Sequence, residues 1–241
     1  MWLSFGDSAR GAGYGPWSMA EPGGKLLPGA AAGGAGRERA ERTIDPVAIA
    51  LDAVMDRYAR GDDAALAELY RQGAPRVRGF LTRLGGDPAL ADDLTQDTFL
   101  RIHRARGTFA AGAAALPWMI AIARNAFLDH SRRQAVRRSE RGGSGAAPAE
   151  ERAAPPSTRG DEALVAREML DIVQATLRDL PPLQRDAFVL LRFEGLSVSE
   201  AAQVLGTTEG AVKVRAFRAY EALRAALDAA QAPRDAQEAP R

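Results

Sequence analysis

Lys213, Arg215, Arg218 and Arg224 lie close together with one carboxylate among them, Glu221, and with Val214 and Phe217 interleaved. Cations in this arrangement neutralise backbone phosphates, and an arginine can form a two-pronged hydrogen bond to a guanine edge in the DNA major groove. The apolar side chains between them suit contact with base methyl groups. A second constellation joins Trp118, Asn125 and Arg132, which recur every seven residues, to Arg124, Arg133, Arg137 and Arg138, with Asp129 as the one acid nearby. An aromatic and an amide among arginines form a surface that can hold phosphates and stack unpaired bases. On the same helix, Trp118 can equally be a core residue at a helix start, and the arginines a solvated helix end favoured by the dipole. A third group, Asp92, Asp93, Asp97 and His103, shares one helix and evokes a metal cluster. It lacks opposed ligands from a second helix, so no bound metal is expected.

The cations at 213–224 are positioned by a pattern of helix, glycine-centred turn and helix across residues 196–224. Ser197 and Glu200 have capping-box spacing and predict a helix start at Val198. Ala201, Ala202, Val204 and Leu205 give that helix an apolar face. Gly206 can adopt the positive φ that ends it, and Thr207 or Thr208 can cap the next helix. There Val212, Ala216, Ala219, Leu223 and Leu227 fall on one side, which turns Lys213, Val214, Phe217, Arg218 and Arg224 outward. A helical hairpin inside a larger bundle would share this periodicity. An aromatic among outward cations favours a helix that enters a groove.

The remainder of the 241 residues predicts an all-α chain of two small domains on one tether. Residues 1–42, rich in Gly, Ala and Pro, are expected to be disordered, and Met19 within them is a possible alternative start. Helices are expected from Asp45-Pro46 to about residue 60, and from Asp62 towards Leu84 with a bend at Pro75. A third runs from Asp87-Pro88 to about 106, and a fourth from Pro117 to about 138. These make a first domain of residues 43–138. A flexible linker at 139–160 leads to a second domain at 161–230, and 231–241 form a disordered polar tail. Net charge is only +1, so the distribution of charge carries more information than its sum. The absence of cysteine excludes disulfides, thiolate zinc sites and cysteine nucleophiles, and it fits a reducing cytoplasm. No apolar run approaches a membrane span and no signal peptide is visible, so the chain is expected to stay in the cytoplasm.

On the third helix, Leu90, Ala91, Leu94, Thr98 and Ile102 form the expected buried stripe. Asp92, Asp93, Gln96, Leu100 and His103 face away. The two aspartates suit the helix dipole, whereas Leu100 ringed by polar groups suits a protein contact equally well.

Three ordered segments resemble a known family: DDLTQDTFLRIHRA (92–105), PWMIAIARNAFLDHSRR (117–133) and DLPPLQRDAFVLLRFEGLSVSEAAQVLGTTEGAVKVRAFRAYEALR (179–224). Together they resemble bacterial sigma factors of the sigma-70 family, and most of all the extracytoplasmic-function (group IV) type, over residues 50 to 228. The resemblance implies a non-enzymatic subunit, with no cofactor, that directs core RNA polymerase to promoters. It implies a stress or envelope-signal regulon and a partner anti-sigma factor. Asp92, Asp93, Gln96, Asp97, Phe99 and Leu100 would meet the beta-prime clamp helices, and the beta flap of the polymerase would be a further contact. Phe109, Trp118, Arg124, Asn125, Arg132 and Arg133 would serve the −10 element. Thr208, Lys213, Val214, Arg215, Phe217 and Arg218 would serve the −35 duplex. Two positions depart from the family pattern. His103 stands where a tryptophan is common, and the loop before the fourth helix reads AAGAAA, with few polar groups to hold a flipped base.

Two other readings compete. A stand-alone regulator that binds duplex DNA would need a dimer surface and a signal-receiving domain, and neither is visible. A helical enzyme would need the metal cluster discounted above.

Overall fold

The structure, a computed structural model, describes residues 46–85, 87–140 and 161–238. The expected disordered head, the Asp45 cap, Gly86, most of the linker and residues 239–241 lie outside the described residues. Eight α-helices and one 3-10 turn account for the described part, with no strand among those residues. They are α1 (Pro46–Ala59), α2 (Ala65–Gly85), α3 (Pro88–Ala105), the turn Arg106–Thr108, α4 (Ala115–Glu140), α5 (Asp161–Asp179), α6 (Pro182–Arg192), α7 (Val198–Leu205) and α8 (Glu209–Glu238).

Local signals set several of these boundaries. Asp87 accepts a hydrogen bond from the Ala89 amide at 2.9 Å while Pro88 occupies the first turn, so α3 begins where an aspartate-proline pair should start a helix. Ser197 and Glu200 exchange both bonds of a capping box, at 3.0 and 2.7 Å. Gly206 ends α7 at φ 61°, and the Thr208 hydroxyl then accepts from the Ala211 amide at 3.2 Å to cap α8.

Two boundaries differ from expectation. Helix α4 continues through Ser139 and Glu140, which were assigned to the linker. Helix α8 continues to Glu238, so 231–238 are helical rather than a disordered tail. Alanines at 225, 226, 229, 230 and 232 have high helix propensity, and Pro233 did not stop the run. Pro75, where a bend is expected, lies inside α2, which runs on as one helix although that residue cannot donate the usual backbone bond.

Helices α1–α4 enclose a core whose fully buried side chains include Tyr58, Phe80, Leu81, Ile102, Met119 and Ile120. Gly73 brings α2 close to α4: a Cβ there would lie 2.5 Å from the Met119 methyl, 3.4 Å from Phe99 and 3.5 Å from Leu51. In the second unit, α5 packs on α8 through Leu177, Leu180, Ala219 and Leu223. The apolar core of the first unit continues without a gap into α6, α7 and the start of α8, through Ala187, Leu190, Ala201, Val204 and Val212. The two units are therefore packed together, with α2 touching α5 and α6, and α4 touching α7.

Candidate nucleic-acid and polymerase interfaces

Helix α8 presents its outward face as the periodicity requires. Val212 and Ala219 are fully buried, and Val214 and Phe217 are 52% and 62% exposed. Lys213 and Arg218 lie exposed beside them, and Arg215 is half-buried. Burying Phe217 would remove a large apolar area from water, so its exposure marks a contact surface more clearly than the cations do. The Thr208 hydroxyl is engaged in capping, and this fixes where the helix begins.

The face of α3 is exposed too, but two of its carboxylates are tied down. Asp92 pairs with Arg78, whose hydrogen bond holds the Asp92 carboxyl below its usual range. Asp97 receives a hydrogen bond from Arg101 at 2.9 Å, and Arg101 also bonds Asp129 of α4 at 2.8 Å. Asp93 and Gln96 are exposed and Leu100 is 56% exposed. A cleft of about 520 Å³ beside them, between α2 and α3, is lined by Tyr70, Arg71, Pro75, Arg78, Asp92 and Gln96. Phe99 does not belong to this surface. It is buried, with its ring 4.7 Å from that of Tyr70 in an edge-on contact, so it supports the helix that displays Leu100.

Helix α4 differs most from expectation. Trp118 is 3% exposed and meets the buried Phe109 ring edge-on at 5.3 Å. These two residues are the packed base of the loop rather than its binding surface. The first half of α4 is enclosed on most sides, since Leu116, Ile120 and Ile122 are buried along with Met119 and Ala123, and only a narrow stripe at Pro117, Ala121 and Asn125 is partly open. The loop has few polar side chains of its own, and α1 supplies what it lacks. Asp56 accepts from the Gly112 amide at 3.1 Å and Asp52 from the Ala115 amide at 2.7 Å, the second bond capping α4 from a distance. Gly112 turns at φ 75°. Asn125 is half-buried, and Arg132 and Arg133 are exposed farther along.

Arg124, expected at the DNA, is buried. Its Nε donates to Asp186 of α6 at 2.9 Å, with the two side chains 8% and 5% exposed. A second buried carboxylate, Glu194, follows α6. Its side chain is 2% exposed and is approached by Arg83 at 3.3 Å and Arg76 at 3.5 Å, while Arg76 also donates to its backbone oxygen at 2.9 Å. The Arg83 guanidinium lies 4.5 Å from the centre of the Phe193 ring. Burial raises the pKa of both carboxyls, and the facing arginines offset this in part. Asp186 and Glu194 did not stand out in the sequence. One signal was available: Asp186 shares a helical stripe with Val189 and Leu190, both fully buried.

The candidate metal group is dispersed into such pairs. His103, in the position where a tryptophan is common, shares a 2.5 Å hydrogen bond with the buried Tyr58 hydroxyl. Among the described residues no cluster of three or more His, Cys, Asp or Glu is placed to hold a metal, and no helix is long and apolar enough to cross a membrane.

This arrangement has counterparts among known proteins. Residues 69–137 match the sigma-70 region 2 model and residues 170–223 the sigma-70 region 4 model. The chain is 38% identical over 175 residues to the RNA polymerase sigma factor CarQ of Myxococcus xanthus, covering 72% of this chain and 95% of that protein. It is 33% identical over 174 residues to the ECF RNA polymerase sigma factor SigF of Caulobacter vibrioides, covering 72% and 91%. Among solved structures it is similar to the sigma factor RpoE of Bartonella quintana in complex with the anti-sigma factor NepR. There the TM-score is 0.57 and the identity 26%, over 67% of this chain and 96% of that one. It is likewise similar to CnrH in complex with the cytosolic domain of CnrY, with TM-score 0.54 and identity 27%, over 76% and 98%. With both regions matched in order and relatives covered nearly end to end, the chain belongs to the sigma-70 family of RNA polymerase sigma factors, in its extracytoplasmic-function branch.

Proposed function

We propose that the chain docks on core RNA polymerase through its first unit and carries the enzyme to promoters gripped at two places. The observation that carries this reading is the exposed Val214 and Phe217 between Lys213 and Arg218, on a helix capped at its start. In this reading α8 enters the major groove at the −35 element. Lys213 and Arg218 reach phosphates and base edges there, Arg215 flanks them, and Val214 and Phe217 make apolar contacts. Asp93, Gln96 and Leu100, with the paired Asp92 and Asp97, form the face for the beta-prime clamp helices, and the second unit meets the beta flap. Asn125, Arg132 and Arg133 serve the −10 element, joined by Arg124 once its internal partner is released. Phe109 and Trp118 hold the loop in place beneath them.

Domain limits at 43–138 and 161–230 fit this division of labour, and the segment between them spans the two DNA sites. Linking two modest grips raises their joint affinity without new contacts. The polymerase performs the phosphoryl chemistry, so the chain itself is no enzyme and needs no cofactor. It works in the cytoplasm, for a stress or envelope-signal regulon. The similar solved structures that hold anti-sigma proteins support such an inhibitor as a further partner.

In vitro transcription with core polymerase on genomic fragments tests the reading. New start sites should appear only when the chain is added. A promoter footprint equally strong without core enzyme would instead identify a stand-alone duplex-binding regulator.

A further inference from the structure

The loop between the 3-10 turn and α4 has no polar side chain from residue 110 to 115, yet its backbone is held at several points. At its entry Arg106 pairs with Asp63, and the Thr108 hydroxyl donates to the Ala105 carbonyl at 2.8 Å. In its middle the Ala113 amide donates to the Ala110 carbonyl at 3.0 Å, across a tight turn with Gly112 at φ 75°. The two remaining anchors come from α1: Asp56 takes the Gly112 amide at 3.1 Å and Asp52 the Ala115 amide at 2.7 Å. Asp52 and Asp56 stand one helical turn apart and half-buried, so a single face of α1 carries both. Carboxylates beside a surface that meets DNA weaken its attraction for phosphates. Asp52 has a structural reason to be there, since it caps α4. Asp56 holds a peptide in mid-loop, where no helix needs capping.

We infer that Asp56, with Asp52 fixing the loop exit, is a positioning residue for base recognition: it orients the peptide between Ala111 and Gly112 so that the loop reads an unpaired base with its backbone. This rests on the −10 reading above. A trans peptide carries its N–H and C=O on opposite sides. With the Gly112 N–H bound to α1, the Ala111 carbonyl is directed away from α1. There it is an acceptor for N–H groups on the Watson–Crick edge of an extruded base. Ala110, Ala111 and Gly112 are exposed and small, so nothing of the loop's own covers that carbonyl. An unanchored peptide could turn either its N–H or its C=O outward, and would take donor and acceptor edges alike. Neither carboxylate touches the base, and the selectivity comes from the orientation they impose.

Holoenzyme formed with the full chain, transcribing from promoter libraries randomised in turn at the −10 and −35 elements, tests this. Asp56→Ala and Asp56→Asn both remove the charge, but asparagine keeps an oxygen that can accept from the Gly112 amide. Asp56→Ala should therefore flatten base preference at one −10 position by about fivefold, the factor that corresponds to one lost capping-type bond. Asp56→Asn should keep that preference. Preference at −35 should be the same in both variants, which reports a folded and competent chain. Hydrogen exchange at the Gly112 amide, measured on the chain without polymerase, should accelerate in the alanine variant alone.

A −10 preference that survives Asp56→Ala would overturn the inference and leave the −10 reading standing. Equal flattening in the alanine and asparagine variants would also overturn it, because the charge rather than the hydrogen bond would then be responsible. An unsubstituted chain with no base preference at any −10 position would overturn both.

Discussion

Helices α4 and α8 carry the two basic constellations of this chain, and the protein treats them in opposite ways. On α8 one narrow apolar stripe is buried and everything chosen as a DNA contact remains in solvent or at its edge. On α4 the aromatic and the first arginine are enclosed, and only Asn125 and the arginines farther along approach the surface. The difference lies in how the neighbours of each helix are arranged. Along its groove-facing stretch α8 rests on its own unit along one side. The first half of α4 is surrounded by α1, α2, α3 and the neighbouring unit. A basic helix with an aromatic is therefore a readable DNA surface when its partners all lie along one side, and an ambiguous one when they close around it.

The largest effect that could break this comparison is the loss of each aromatic. Trp118→Ala should lower unfolding stability by about 3–5 kcal/mol, because it opens a cavity beside Phe109. Phe217→Ala should change stability by no more than about 0.5 kcal/mol while impairing promoter use. Urea unfolding followed by circular dichroism measures both, and equal losses would mean that the two rings occupy similar environments after all.

Next in size is Arg218→Ala, expected to weaken use of the −35 element by about 1–3 kcal/mol and to relax base preference there if the guanidinium reads a base pair. Transcription from a randomised promoter library provides the readout. A uniform loss across sequences would assign Arg218 to phosphate instead.

A smaller effect is expected from Ser197→Ala, about 1 kcal/mol, through loss of the hydroxyl that caps α7. Hydrogen exchange at the Glu200 amide should accelerate, and unchanged protection would show that the carboxylate half of the box suffices by itself.

The smallest effect concerns pH and the junction of the units. Asp186 faces Arg124 and Arg185, and Glu194 faces Arg76 and Arg83. Both carboxyl pKa values are raised in the packed form, so packing takes up protons. That contribution is complete below the ordinary carboxylate range and is lost as pH rises through the raised values. Protection of the α6 amides against hydrogen exchange, corrected for the intrinsic exchange rate at each pH, should therefore rise modestly as pH falls from neutral towards the ordinary carboxylate range. A fall over the same interval would mean that the arginines outweigh burial at these carboxyls.

What could be read from the sequence was what is decided locally. The Asp87-Pro88 start, the Ser197–Glu200 box and the Gly206 turn each involve partners within a few residues, and all three formed as written. So did the outward set on α8, because the inward stripe leaves its residues one place to go. Phe99 is buried, Arg124 is paired internally and Trp118 takes the core position that was one of its two readings, because each environment depends on partners outside its own helix. Asp186 is 62 residues from Arg124, and nothing in the spacing of either residue names the other. The loop anchors Asp52 and Asp56 were hidden for the same reason, lying 63 and 56 residues before the amides they hold.

The pairing of Arg76, Arg83 and Arg124 with carboxylates of their own chain also bears on how the protein would search a genome. Non-specific attraction to DNA grows with the number of counterions displaced, and a cation already neutralised from within displaces none. A molecule carrying these arginines in that form would bind random DNA with a shallower salt dependence than its full count of cations implies. It would spend less time trapped on irrelevant sequence, and a larger share of it would be free to meet polymerase first.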